Sequence, residues 1–266
     1  MEIYGCFYRS KQVKKLYCLL LFLIAISSSA AVLMKTVDEP LTGLSNNTII
    51  AITPHKGAIW MATSQGLIFT KDGGETWNRY DESNGLVSDE ISALYSDDIN
   101  GRLWTTTNHT VTISGMTVSH ADGLTFTDNE GMLWDTIQPA GSYGYQATVF
   151  DLTGNDSLLF GASWAGGLFG TFDGGETWRK IYYSKADSLA DEADTTSYTN
   201  LYFSAVVDTS HSDSLVLWAG TANGLMRYVY GPADAKPSSN YIYDLASGDG
   251  FLFIAGDSGL SRLDFG

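Results

Sequence analysis

The stretch Thr70-Lys71-Asp72-Gly73-Gly74-Glu75-Thr76-Trp77 returns later in the chain as Thr171-Phe172-Asp173-Gly174-Gly175-Glu176-Thr177-Trp178. A worn third copy, Thr127-Asp128-Asn129-Glu130-Gly131-Met132-Leu133-Trp134, keeps the glycine and the tryptophan but carries Asn129 for the aspartate and Leu133 for the threonine. Each copy closes a short alternating strand that opens on Gly-Leu. The Gly-Leu pair itself occurs at Gly66, Gly123, Gly167, Gly224 and Gly259. Before each pair lies a second strand centred on a large apolar residue: Trp60, Trp104, Phe160, Trp218 and Phe253. Before that lies a third, beginning near Ile49, Ile91, Ala147, Tyr202 and Tyr241. Gly, Asn, Asp and Ser separate these runs, which are rich in Val, Ile, Thr and aromatics, and no stretch after the first 35 residues has sustained helical periodicity.

Units of roughly 40–50 residues built from short antiparallel strands are the signature of a β-propeller. One such sheet has two faces and cannot bury both alone. Stacking sheet on sheet removes them from water, which predicts an inter-blade role for the five large apolar residues. The expectation is an all-β propeller of about five blades of four strands each. Ser/Thr-x-Asp-x-Gly-x-Thr-Trp resembles the Asp-box of sialidase-like and BNR propellers, and the segment 240–265 resembles the propeller repeats of extracytoplasmic sensors. The resemblance implies that Thr70, Asp72, Gly74, Thr76 and Trp77, with Thr171, Asp173, Gly175, Thr177 and Trp178, are structural and lie opposite the ligand funnel. The residue types agree: a short carboxylate accepts backbone N–H groups that a hairpin leaves open, and glycine takes the positive φ that the turn needs. Residues 35–44 (KTVDEPLTGL) are similar to the outer-strand segment 78–86 (NRYDESNGL). They are therefore expected to supply the outer strand of blade five and close the ring. The competing expectation is a piece of a longer propeller.

The chain is acidic, with 30 Asp and Glu against 15 Lys and Arg and a net charge of −15. Such a surface repels phosphate backbones, which argues against nucleic acid as a partner. Residues 1–15 carry Arg9, Lys11, Lys14 and Lys15, an apolar run follows, and Ser28-Ser29-Ala30-Ala31 offers a cleavage site. This is the pattern of an export signal over 1–30, or of an anchor if it is not cut. The expected location is extracytoplasmic, with the membrane reached only through that segment. Both cysteines, Cys6 and Cys18, lie within it, so the propeller of residues 35–266 has neither a disulfide nor a thiol nucleophile.

In propellers of this kind ligands meet the face built by the second-to-third strand loops. Trp164 lies in that loop of blade three, and Tyr143 and Tyr145 precede the same blade. Their rings suit stacking on a sugar or anchoring a protein. The insertion at 108–120 enlarges the corresponding loop of blade two and is bracketed by His109 and His120. Two imidazoles without a third ligand do not define a metal centre. The acidic loop at 182–200 offers oxygens to Ca²⁺ but lacks the alternating spacing of a dedicated calcium loop, so no cofactor is expected.

Two functions follow as expectations. The first is a non-catalytic module that binds an extracellular or envelope protein, or a glycan. The alternative is a glycoside hydrolase. Against it, the arginine motif that opens a sialidase is missing, and Arg79 and Arg179 follow the box tryptophans, far from the funnel. Adjacent carboxylates such as Asp81-Glu82 and Asp89-Glu90 are ordinary in an acidic exported chain.

Overall fold

The computed structural model describes residues 48–155, 157–181, 201–208, 216–222, 224–229, 242–248, 251–256 and 259–264. The segments expected to be an export signal (1–30) and a closing strand (35–44), and the acidic stretch 182–200, lie outside the described residues.

Five antiparallel sheets follow one another as the blades of a propeller. Blade one is β1 (Ile49–His55), β2 (Ala58–Thr63), β3 (Gly66–Thr70) and β4 (Asn78–Tyr80). Blade two is β5 (Glu90–Asp97), β6 (Arg102–Ile113), β7 (Met116–Thr127) and β8 (Asp135–Ile137), and β9 (Tyr143–Tyr145) adds a fifth strand along β7. Blade three is β10 (Val149–Asn155), β11 (Leu158–Ser163), β12 (Gly167–Thr171) and β13 (Arg179–Ile181). Blade four contains β14 (Tyr202–Asp208), β15 (Val216–Thr221) and β16 (Gly224–Val229). Blade five contains β17 (Ile242–Gly248), β18 (Phe251–Gly256) and β19 (Gly259–Asp264). The expectation of four strands per blade thus holds for blades one and three. Blade two has five because its insertion prolongs β6 and β7 into one long hairpin that β9 then joins. Blades four and five have three among the described residues.

The glycine of each Gly-Leu pair has a backbone reason. Gly66, Gly123, Gly167, Gly224 and Gly259 all have positive φ, between 80° and 110°. A Cβ on Gly66 would lie 2.2 Å from the carbonyl oxygen of Tyr80, and one on Gly123 would lie 2.3 Å from that of Ile137. In blades one and two the third strand therefore starts on glycine so that the outer strand can approach, and in the others the positive φ itself favours glycine.

Innermost strands touch in chain order, β1 to β5 to β10 to β14 to β17, and apolar clusters fill the seams between blades. Trp60 packs with Leu86 of the connecting segment and with Ile91, Leu94 and Leu103 of blade two. Trp104 packs with Val149, Leu152, Leu159 and Phe169 of blade three. Phe160 and Trp218 repeat the arrangement toward blades four and five. Each of these four rings faces the next blade, and truncating one to alanine costs about 3–5 kcal/mol. Phe253 departs from the expectation. It is 38% exposed, because among the described residues no further sheet lies against its side of blade five.

Polar contacts lock the same seams. Lys56 Nζ donates to the Asp128 carbonyl at 2.8 Å, Tyr80 Oη to the Glu130 carbonyl at 3.0 Å, and Arg102 Nη1 to the Gly174 carbonyl at 3.0 Å. The acceptors all belong to the hairpin turns of the following blade, so those turns also serve as inter-blade fasteners.

Candidate functional site

Every innermost strand carries one extra residue relative to its partner. Ile49 pairs with Thr63 and Ala51 with Ala62, which leaves Ile50 unopposed. Ser92, Phe150, Phe203 and Tyr243 occupy the same position in β5, β10, β14 and β17. These are β-bulges, which re-aim a side chain and bend the strand locally. All five sit at the start of the innermost strand, beside the connection between second and third strands. The Thr-x-Asp-x-Gly-x-Thr-Trp turns follow Thr70 and Thr171, at the opposite end of the sheets.

Three of the bulge residues form an aromatic arc across blades three, four and five. Phe150 and Phe203 stack with centroids 5.9 Å apart, and Phe203 meets Tyr243 at 5.8 Å. Trp164, in the turn between β11 and β12, closes on Phe203 at 5.3 Å and on Phe150 at 6.3 Å. Phe150 is 43% exposed and Tyr243 53%. Trp164 is held in place by its backbone, since its N–H donates to the Thr148 carbonyl at 2.9 Å. Trp164 therefore both packs against the neighbouring blade and keeps part of its ring open.

Directly after the bulges in β10 and β17 come Asp151 and Asp244. Asp151 Oδ2 accepts the Ala205 N–H at 2.8 Å, a bond from blade three to blade four. Desolvation raises its pKa to about 7; the Ala205 N–H opposes the rise and Asp244 adds to it. Asp151 thus ties two blades together while burial holds its carboxyl well above the ordinary carboxylate range.

The second feature of this end is the β6–β7 hairpin. His109 and His120 are directly opposed across it, with rings 4.9 Å apart. A sixth bulge, on β7, leaves Asp122 without a cross-strand partner in β6 and turns it toward both rings. Asp122 Oδ1 lies 2.7 Å from His109 Nδ1 and 3.8 Å from His120 Nδ1. Tyr143 and Tyr145 present ring edges to His120 from β9, each at 5.1 Å. The five residues form a polar cluster beside the aromatic arc. Asp122 stands next to Gly123, where the sequence pattern places only the start of a strand, so nothing in the sequence joins it to the two histidines.

At the other end the turns are built as follows. Asp72 Oδ1 accepts the Thr76 N–H at 2.9 Å and the Thr70 hydroxyl at 2.7 Å, and Oδ2 accepts the Thr76 hydroxyl. The Gly74 N–H donates to Thr70 Oγ1 at 2.9 Å. Asp173 repeats these bonds with Thr171 and Thr177, and the Gly175 N–H donates to Thr171 Oγ1 at 2.9 Å. Gly74 and Gly175 have φ of 97° and 96°. The hydroxyl and N–H groups hold the Asp72 carboxyl well below the usual carboxylate range, the Thr76 hydroxyl first among them. Asp173 is lowered to about 2, chiefly by the hydroxyls of Thr171 and Thr177. Trp77 lies over Gly74, while Trp178 reaches back to Trp104 of blade two at 5.9 Å. These aspartates have their acceptor capacity engaged within their own turns.

Among the described residues no helix is long and apolar enough to cross a membrane. No family model and no curated protein matches the chain. Solved structures do. The extracellular domain of a hybrid two-component system of B. thetaiotaomicron superposes with a TM-score of 0.59 at 16% identity, covering 85% of this chain and 29% of that one. A GH74 enzyme of Niastella koreensis superposes at 0.56 and 17% identity, covering 82% and 36%. PorZ, a surface component of the type-IX secretion system of Porphyromonas gingivalis, superposes at 0.55 and 14%, covering 82% and 32%. The chain spans about a third of the length of each, and the likeness is one of β-propeller fold.

Proposed function

We propose that this protein is a non-catalytic binding module working outside the cytoplasm, and that its ligand is a glycan seated at the bulge end of the blades. The arc of Phe150, Trp164, Phe203 and Tyr243 carries this reading. Four rings in mutual contact, two of them about half exposed, offer apolar faces suited to the C–H faces of pyranose rings. Asp244 follows the bulge of β17, and its exposed carboxylate offers an acceptor to sugar hydroxyls. Support for the location comes from the extracellular domains and the surface component that share the fold.

A glycan array probed with the full chain, followed by calorimetry on the strongest hit, tests the proposal. Trp164→Ala is expected to weaken that hit by about tenfold at a temperature where both proteins are folded, since one aromatic contact contributes about 0.5–1.5 kcal/mol. A blank array together with capture of an envelope protein, lost in the same variant, would transfer the arc to a protein partner.

A second reading, hydrolysis, rests on Asp151. A carboxyl raised to about 7 beside a second carboxyl is the arrangement a glycosidase uses for its general acid. The Ala205 bond gives Asp151 a structural task as well, which favours the first reading. Sugar release from a polysaccharide panel, abolished in Asp151→Asn, would reverse the order.

A further inference from the structure

We infer that His109, His120 and Asp122 form a binding site for a divalent transition metal, with Zn²⁺ the best match. Their donor atoms all lie within 4.8 Å of one another. Ligands at about 2.0–2.2 Å around a tetrahedral Zn²⁺ are roughly 3.4 Å apart, so the present separations of 2.7 and 3.8 Å to Asp122 Oδ1 bracket the required value.

Unmet bonding capacity points the same way. The Asp122 side chain is 7% exposed, and its Oδ2 has no hydrogen-bond partner. His120 Nδ1 is likewise buried and unpartnered, as is Oδ1 of neighbouring Asn108. Three buried polar atoms left unsatisfied in one place cost folding free energy. A cation held by the two imidazoles and by both oxygens of the carboxylate satisfies the first two at once.

The donor set selects the ion. Two imidazole nitrogens and one carboxylate suit Zn²⁺, Cu²⁺ or Ni²⁺, whereas Ca²⁺ asks for six or more oxygens. Neutral rings ligating through Nδ1 carry their proton on Nε2. His109 is half-exposed, so three protein ligands leave a coordination position facing solvent. The open position suits capture of an external donor atom at the edge of the aromatic arc. Both strands of the hairpin contribute ligands, and β9 backs the site through Tyr143 and Tyr145, so the metal also fastens the insertion.

The test uses the tag-free full chain, dialysed against chelator and titrated with Zn²⁺, Ca²⁺ and, as a spectroscopic probe, Co²⁺. One Zn²⁺ per chain is expected, with no Ca²⁺ binding and a visible Co²⁺ band of tetrahedral or five-coordinate type. His109→Ala alters a half-exposed side chain and leaves the fold intact. It should weaken Zn²⁺ by at least about tenfold and abolish the Zn²⁺-induced rise in melting temperature. Asp122→Asn should remove the Co²⁺ band. Absence of Zn²⁺ binding in the parent, or unchanged affinity in His109→Ala, overturns the assignment whether or not the Asp122 variant folds.

Discussion

The two ends of each blade repeat in different ways. At the turn end, blades one and three repeat side chains: Thr, Asp, Gly, Thr and Trp recur with the same bonds at nearly the same distances. At the bulge end all five blades repeat a backbone irregularity, but the residue there is Ile, Ser, Phe, Phe or Tyr. A side chain reused from blade to blade serves a need that every blade shares, which is to close a hairpin. A backbone feature reused with changing side chains keeps a position while its chemistry is free to vary. Blade two sharpens the contrast. Asn129 Oδ1 still accepts the Leu133 N–H at 2.9 Å, and Thr127 still accepts the Gly131 N–H, so the turn survives. The hydroxyl bond that Thr76 and Thr177 make to the second oxygen is gone, because Leu133 has none to give.

If this division is right, the largest effect should follow Asp173→Ala. It removes the acceptor of three bonds in one turn, so the melting temperature should fall clearly and by more than in Asn129→Ala, while glycan affinity measured at a temperature where both are folded stays the same. Equal losses at the two turns would break the comparison.

A smaller effect should appear in acid. The Asp173 pKa falls from an ordinary 3.8 to about 2 on folding, so its charge favours the folded state above pH ~4, and that contribution is lost as pH drops from about 4 toward 2. Asp72 shifts in the same direction. The double variant Asp72→Asn, Asp173→Asn should therefore lose less stability than the parent across that window, as followed by circular dichroism melts. Asn129→Ala, which removes no charge from the turn of blade two, should make no difference to the slope.

The smallest effect is expected at the other end. Ile50→Ser changes a bulge residue that is 43% exposed and outside the aromatic arc, and it should alter stability by no more than about 0.5 kcal/mol in denaturant titration. A loss comparable to that of Asp173→Ala would mean that bulge side chains hold the fold after all.

Much of the architecture was legible because its determinants are local. Gly-Leu marks a positive φ, and a short alternating strand with a large ring near its centre needs a neighbour on each side. Trp164 could be placed in its loop by counting from Ser163. The bulges could not be read, since an extra residue is defined only against its partner strand: in sequence Phe150 and Phe203 look like ordinary members of an apolar run. Asp122 was hidden for the same reason, as the register slip between Thr107 and Asn108 decides which way it points. Phe253 failed in the opposite sense, for its environment depends on what lies beyond its own sheet rather than on anything near it.

A bulge absorbs its additional residue without disturbing the alternation on either side of it. Four of the five such positions here are at least partly open to water, and none of the four contributes to the buried seams between blades. Ile50 stands apart from the other three and can be exchanged by itself, whereas Phe150, Phe203 and Tyr243 touch one another and are best varied together, so a library randomised at all four would sample new specificities on an unchanged frame.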